Sequence, residues 1–325
     1  MTQVTSADNG SEYRTSFRSM ASEIRFWVHA PHQGVESRIE QARALFDRVA
    51  ASCTRFDSSS ALMRANAVGK EWATVPTECF DAIRAAYDAY VLTDGLFDPR
   101  TVEILTELGY SSSLPFESEQ IRVSSSGTRK AGRVRPWKPG FDQARGAVRV
   151  GEEPIDLGGI GKGCAVRWAA EILADAGDSV LLEAGGDVMA LGGGPNGDGW
   201  MISVEDPFGA CDPVAVLRLV DLAVATSSVR IRSWVVDGEQ VHHLIDPRTR
   251  RPAQSFLRAV SVVHEDPALA EVWSKSLFIA GRHQIRKLSD DAGLASLWVD
   301  VDGRVTTSRA MRDHVAWQVA NVQPN

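Results

Sequence analysis

Residues 156–163 read Asp-Leu-Gly-Gly-Ile-Gly-Lys-Gly, four glycines in eight positions between an extended segment and an apolar helical pattern. A junction of this kind lets the backbone approach a ligand closely, and the first N–H groups of the following helix are then free to meet a phosphate. Lys162 adds a positive charge at the same point. The other reading is a tight turn packed for structural reasons, and glycine density alone leaves both open. The Gly-x-Gly-x-x-Gly pattern of a dinucleotide fold is absent.

A second glycine cluster follows the apolar run Val-Leu-Leu-Glu-Ala, as Glu-Ala-Gly-Gly-Asp at 183–187 and then Leu-Gly-Gly-Gly at 191–194. It reads either as backbone pressed against a flat or anionic group or as a simple hairpin. The segment 241–253, Val-His-His-Leu-Ile-Asp-Pro-Arg-Thr-Arg-Arg-Pro-Ala, carries adjacent histidines. In an extended chain His243 and Ile245 share one face, and His242 and Leu244 the other. One histidine is then free to face a site while its neighbour meets solvent, and imidazole is suited to take a proton near neutral pH. Asp94 and Asp98 in Asp-Gly-Leu-Phe-Asp-Pro, 94–99, read by default as cap and turn residues.

Around these motifs the pattern alternates between strand and helix. Residues 22–29 alternate as a strand, and 36–53 place Ile39, Ala42, Phe46, Val49 and Cys53 on one helical face. A second helix is expected at about 77–93, with Thr77 as its cap and Phe80, Ile83, Tyr87 and Tyr90 on one side. A third is expected at 162–176, ending at Gly177, and a fourth at about 267–280, opened by Pro267. Short strands are expected near 147–150, 179–183, 201–205, 215–221, 233–237, 240–245, 259–264 and 296–301. Without strict βαβ repetition this implies an α+β fold of mixed, mostly antiparallel sheets with packed helices. The stretch 111–140 is rich in Ser, Gly and Pro and carries Arg129, Lys130, Arg133, Arg135 and Lys138, which reads as a variable surface loop or lid. The organisation expected is a tail over 1–17 and one domain over 18–320.

Composition narrows the function. Against 42 Asp+Glu stand 35 Lys+Arg, a formal charge of −7, which argues against non-specific binding to nucleic acid or to an anionic membrane. No stretch has the apolar length that would insert into a membrane. The four cysteines form no Cys-x-x-Cys pair, and the first residues lack a basic segment followed by an apolar run, so a cytoplasmic location is expected.

Together, Asp-Gly-Leu-Phe-Asp-Pro at 94–99, Asp-Leu-Gly-Gly-Ile-Gly-Lys-Gly at 156–163, Glu-Ala-Gly-Gly-Asp at 183–187 and His-Leu-Ile-Asp-Pro-Arg-Thr at 243–249 resemble, in order and spacing, the ApbE family of FAD:protein FMN transferases. Ser-Met-Ala-Ser at 19–22 stands where that family has Met-Gly-Thr, and 58–67 looks like its serine-to-asparagine segment, with Asn66 near its end. The resemblance runs from Met20 to about Trp317. It implies an ApbE-like fold that binds FAD, with Met20 against the flavin and Leu96, Phe97, Asp98, Asp156, Lys162, Thr226, Ser227 and Ile245 at the cofactor. It also implies His243 as the residue assisting an acceptor hydroxyl, and Gly159 as a backbone ligand of Mg²⁺. The reaction implied moves FMN from FAD to a Ser or Thr hydroxyl of a partner protein and releases AMP, a transferase function.

The chain departs from the family at the metal motif. Glu271 stands where the family has Asp, and Lys275, four residues on, where it has Thr. A protonated lysine has no lone pair to give a cation, while one helical turn from Glu271 it is placed to pair with that carboxylate. Lys275 is therefore a candidate to hold the pyrophosphate itself, and whether Mg²⁺ binds at all stays open. Two alternatives to transfer follow. One is a FAD-dependent oxidoreductase or monooxygenase on a small molecule, which keeps FAD intact because the Mg²⁺ site is lost; the other is a non-catalytic flavin carrier.

Overall fold

A computed structural model describes residues 11–111, 122–123, 135–230 and 232–324. Its frame is an antiparallel sheet of eight strands: β1 (Glu12–Ser19), β2 (Ser22–Pro31), β3 (Gly177–Ala184), β4 (Asp187–Leu191), β5 (Leu222–Ser228), β6 (Leu257–His264), β7 (Ala295–Asp300) and β8 (Val305–Thr307). Spatial order equals chain order, and each strand runs antiparallel to the next. Such a meander needs only short local connections, and the longer ones carry the helices and the functional loops.

Side chains alternate between the two faces. On one face lie the helices α1 (Val35–Cys53), α2 (Ala61–Val68), α3 (Thr77–Leu92), α5 (Gly161–Leu173), α6 (Pro267–Ala280) and α7 (Ile285–Asp291), while α4 (Val102–Glu107) packs in a small core of its own with Trp234, Val236 and Val241. Phe26, Val28, Val180, Leu182 and Met189 from the sheet meet Phe46, Val49, Ile83, Val166 and Leu173 from the helices in the largest core. The opposite face gives Val188, Ala190, Val224, Val263 and Leu297 to a second core, closed by a three-stranded sheet of Trp200–Val204, Ala215–Leu219 and Val315–Gln318. The result is helices, sheet and small sheet stacked in three layers, the α+β mixture expected.

The amphipathic face expected for α1 is buried at all of Ile39, Ala42, Phe46, Val49 and Cys53. α6 begins at Pro267 as expected, and Asp266 caps it by accepting from the N–H of Ala268 at 2.8 Å. Elsewhere the structure corrects the reading. β1 begins inside the segment expected to be a tail, because Glu12–Ser19 pairs along its whole length with β2. Thr77 is the first residue of α3 rather than its cap, and no side chain caps that end. α5 stops at Leu173 instead of 176, since Ala176 folds back to Leu173 and gives its carbonyl to His32, which sets Gly177 as the start of β3. The basic residues Arg129, Lys130 and Arg133 lie outside the described residues. Trp137, expected in a surface loop, is buried: its Nε1 donates to the Val150 carbonyl at 2.8 Å and its ring meets Tyr87 and Tyr90 edge-on.

Two hairpin turns at one end of the sheet prepare the site. Met20 and Ala21 join β1 to β2 with φ of 51° and 57°, and Gly185 and Gly186 join β3 to β4 with φ of 58° and 91°. Left-handed backbone at both central positions matches the twist of a two-residue hairpin, which is why paired glycines occur in the second. A side chain at Gly185 would also collide with Ser22 of the first.

Candidate active site

The glycine segment 156–163 leads into α5 with its backbone fixed from three directions. The Asn66 side chain pairs with Ile155 as a strand would, accepting from its N–H at 2.9 Å and donating to its carbonyl at 2.8 Å. Pro99 accepts from the Asp156 N–H at 2.7 Å and so ties the 94–99 motif to this segment. Asp156 accepts from the Gly158 N–H at 2.8 Å and pairs with Arg55 at 3.2 Å. The Arg55 guanidinium is buried against the rings of Phe56 and Tyr110, with ring centroids at 4.2 and 4.5 Å.

The 94–99 motif is held in turn by its own neighbours. Thr93 donates to the Ala89 carbonyl and accepts from the Phe97 N–H. Phe97 is buried beside Gly159, and Leu96 is half-buried against the core under α6. The Asp98 carboxylate takes three donors of Arg100, the N–H at 2.9 Å, Nε at 3.0 Å and Nη2 at 2.6 Å. Asp98 thus shapes the loop through Arg100, more than the turn role expected of it.

Above this loop lies a buried group of charges. Lys162 donates to Asp187 and, at 3.2 Å, to Oε1 of Glu271; Lys275 donates to the same oxygen at 3.0 Å. The other oxygen of Glu271 accepts from the Gly163 N–H at 2.8 Å. Glu271 is 1% exposed. Burial alone would raise its carboxyl, but Lys162 and Lys275, with the Gly163 N–H, hold it down to about 2. Burial pushes Lys162 down, and Asp187 and Glu271 reverse this and leave it above its ordinary value. Lys275 lies below its own, lowered by burial and by the charge of Lys162 against the opposing pull of Glu271.

The two histidines separate cleanly. His242 is engaged at both ring nitrogens, Nε2 donating to the Ala253 carbonyl at 3.1 Å and Nδ1 accepting from the Leu244 N–H at 3.3 Å, with its ring edge-on to Phe278. It is therefore structural, not the solvated neighbour expected. Among the described residues the His243 ring bonds only to the Arg232 carbonyl, through Nδ1 at 3.2 Å. A carbonyl can only accept, so Nδ1 carries the proton and Nε2 keeps its lone pair. Burial, then the charge of Arg232, hold His243 well below its ordinary value, and Lys275 adds to this.

Of the other candidates, Met20 reaches the start of α5, its methyl 3.5 Å from where a Cβ on Gly161 would stand. Ser227 is buried and exchanges a hydrogen bond with Ser274 of α6 at 2.8 Å, while Thr226 is exposed on the opposite face of β5, bonded to Ser261. Ile245 packs in a core with Ile104, Leu105 and Trp234. The structure thus brings Met20, Phe97, Gly159, Lys162, Glu271, Lys275 and His243 to one end of the sheet, and turns Thr226 and Ile245 elsewhere. Sequence reasoning did not single out Asp187, Arg232 or Arg55. Asp187 closes the Glu-Ala-Gly-Gly-Asp motif and was legible there; Arg232 and Arg55 carry no local pattern that marks them.

These residues do not fit a Mg²⁺ ion. Both oxygens of Glu271 are already taken by N–H donors, and the position one turn along α6 presents an ammonium. Among the described residues no three His, Cys, Asp or Glu side chains converge to hold a metal. Beyond Arg100 lies a groove of about 410 Å³, lined by Lys70, Arg149, Glu152 and Glu153 and walled in part by residues 135–138, the described end of the basic loop.

The sequence model of the ApbE family matches residues 19–298. An FAD:protein FMN transferase of Treponema pallidum is 31% identical over 173 residues, covering 50% of this chain and 48% of that protein. One from Klebsiella pneumoniae is 26% identical over 277 residues, 83% of each chain, and one from Rhodobacter capsulatus 30% identical over 224 residues, 68% of this chain and 42% of that one. The match thus spans about half the length of the first relative and less of the third. The crystal structure of the ApbE protein from Thermotoga maritima superposes with a TM-score of 0.78 at 28% identity, covering 93% of this chain and 98% of that one. The flavin transferase ApbE from Vibrio cholerae superposes at 0.74 with 18% identity, a likeness of fold.

Proposed function

The chain belongs to the ApbE family, and from that premise we propose that it moves FMN from FAD to a Ser or Thr hydroxyl of an acceptor protein and releases AMP. The observation that carries this reading is His243: a neutral imidazole with Nδ1 fixed on a carbonyl and Nε2 left with its lone pair, close enough to Lys275 and Arg232 to feel their charge. A group in that state carries the free lone pair a general base needs, and an anionic phosphate set against Lys275 and Arg232 would offset the charge that holds its basicity down.

In this reading the acceptor oxygen bonds to the phosphorus of the FMN half, and its proton passes to Nε2 of His243. The bond from that phosphorus to the bridging oxygen breaks, and its electron pair leaves with AMP. Lys162 and Lys275 face the charge that develops on the phosphate oxygens. Met20 and Phe97 flank the glycine segment as apolar surface for a flavin ring. No step is assigned to a metal.

The redox alternative draws no support from the named relatives, each of which is a transferase. The reading includes a cytoplasmic location, supported by four cysteines that are all free thiols. Among the described residues no helix is long and apolar enough to cross a membrane. The test is incubation of the pure protein with FAD and a Ser- or Thr-bearing acceptor protein, followed by chromatography for AMP and mass spectrometry of the acceptor. AMP with an acceptor heavier by one FMN residue supports the reading. Intact FAD, bound and unmodified beside every acceptor tried, sinks it.

A further inference from the structure

Three cations meet at the mouth of the site against two carboxylates. Lys162 and Lys275 share Glu271, and Asp187 takes Lys162 alone. Arg232, whose carbonyl lies 3.2 Å from Nδ1 of His243, adds its charge to the field at Lys162 and His243 and makes no salt bridge among the described residues. One positive charge is left over, in a place where Glu271 and Asp187 are 1% and 3% exposed. That charge belongs to Arg232, itself half-buried, and a surplus beside so closed a pair of carboxylates is a place for an anion to complete.

We infer that the ammonium of Lys275, fixed by Glu271, stands in for a divalent cation, and that Lys275, Lys162 and Arg232 together receive a nucleotide diphosphate without any metal. The inference rests on the transfer reading and names how that site holds its substrate. An ammonium has three donors, of which Glu271 uses one, so two remain for phosphate oxygens. The Lys275 stem lies along Gly159, its Cδ and Cε 3.6 Å from where a Cβ would stand, so the ammonium is carried past the glycine loop in van der Waals contact with it. A metal at Glu271 would have to displace Nζ from an oxygen 3.0 Å away. In the transfer step Lys275 then faces the oxygen that keeps the electron pair as AMP leaves.

The test is titration of the full chain with FAD, riboflavin and inorganic pyrophosphate, each in EDTA and in Mg²⁺, for wild type, Lys275→Met and Lys275→Arg, with a thermal melt to confirm folding. Wild type is expected to bind FAD in the two buffers with affinities within about twofold. Lys275→Met should weaken FAD and pyrophosphate at least about tenfold and leave riboflavin unchanged, and Lys275→Arg should recover most of the loss. A wild-type affinity that drops about tenfold in EDTA and returns with Mg²⁺ overturns the inference, and needs no variant to be seen. So does a folded Lys275→Met that holds pyrophosphate as wild type does. Pyrophosphate bound in EDTA while FAD is refused supports the cation cradle and removes the flavin reading. FAD bound without metal, yet never transferred, removes the transferase reading alone.

Discussion

Gly163 and Glu271 meet where α5 crosses α6, the Gly163 N–H donating to Oε2 of Glu271 at 2.8 Å. The contact is possible because Gly163 has no side chain: a Cβ there would stand 2.5 Å from Cα of Ala268 and 2.8 Å from the Pro267 carbonyl. These are backbone atoms, so nothing flexible is available to yield. The crossing that packs the two helices is also what sets the carboxylate beside both lysines.

Gly163→Ala is therefore expected to destabilise the protein by overpacking, by about 1–3 kcal/mol, and to weaken FAD binding by moving Glu271. Urea denaturation gives the first quantity and fluorescence titration the second. A variant as stable as wild type would show that the crossing relaxes freely, contrary to the geometry.

His243 sets the pH response of the reaction. Its folded value lies well below 6.5, so the imidazole is neutral at pH 6.5 and stays so as pH falls below it. In the unfolded chain it protonates near 6.5, so its contribution to stability is complete above that pH and is lost as pH drops toward the folded value. The acidic limb of the FMN transfer rate should accordingly lie below pH 6.5, and His243→Asn should lower kcat by about 10²–10⁴. A limb centred at or above 6.5 in wild type would place the essential base elsewhere.

The frame of the molecule was legible in the sequence, and its charge network was not. α1 and α6 announced themselves because their apolar spacing and the Asp-Pro opening of α6 are local signals. β1 was hidden because residues 12–19 are polar and only half-buried, and become a strand through pairing with β2. His243 stood out as a residue type in a motif, yet its difference from His242 lies in three-dimensional partners, Arg232 for one and Ala253 for the other. The Glu271–Lys275 pair followed from helical spacing. Its closure by Lys162 and Asp187 joins residues 25 to 109 positions apart, which no local pattern encodes.

Asn66 supports the site from behind. Its side chain satisfies both the N–H and the carbonyl of buried Ile155, one residue before Asp156. Asn66→Ala leaves those two groups without partners and is expected to cost about 1–3 kcal/mol. KM for FAD should rise more than kcat falls, because the loop that is loosened binds and does not react. Unchanged stability together with an unchanged KM would remove Asn66 from this role.

Glu271→Gln tests the charge group directly. The carboxyl is held down to about 2 from an ordinary 4.5, so its stabilising contribution is present above pH 4.5 and is lost as pH falls toward 2. At pH 7 that difference corresponds to about 3 kcal/mol for a group this deeply buried. Gln still accepts a hydrogen bond but no longer neutralises Lys162 and Lys275, which then repel each other in a site with little water. The variant should be less stable than wild type by about that amount at pH 7, with the gap narrowing as the two are compared at progressively lower pH. Paired urea titrations at pH 7, 5 and 3 read the trend, and a gap that stays constant or widens toward acid would show that the Glu271 charge does not stabilise this fold.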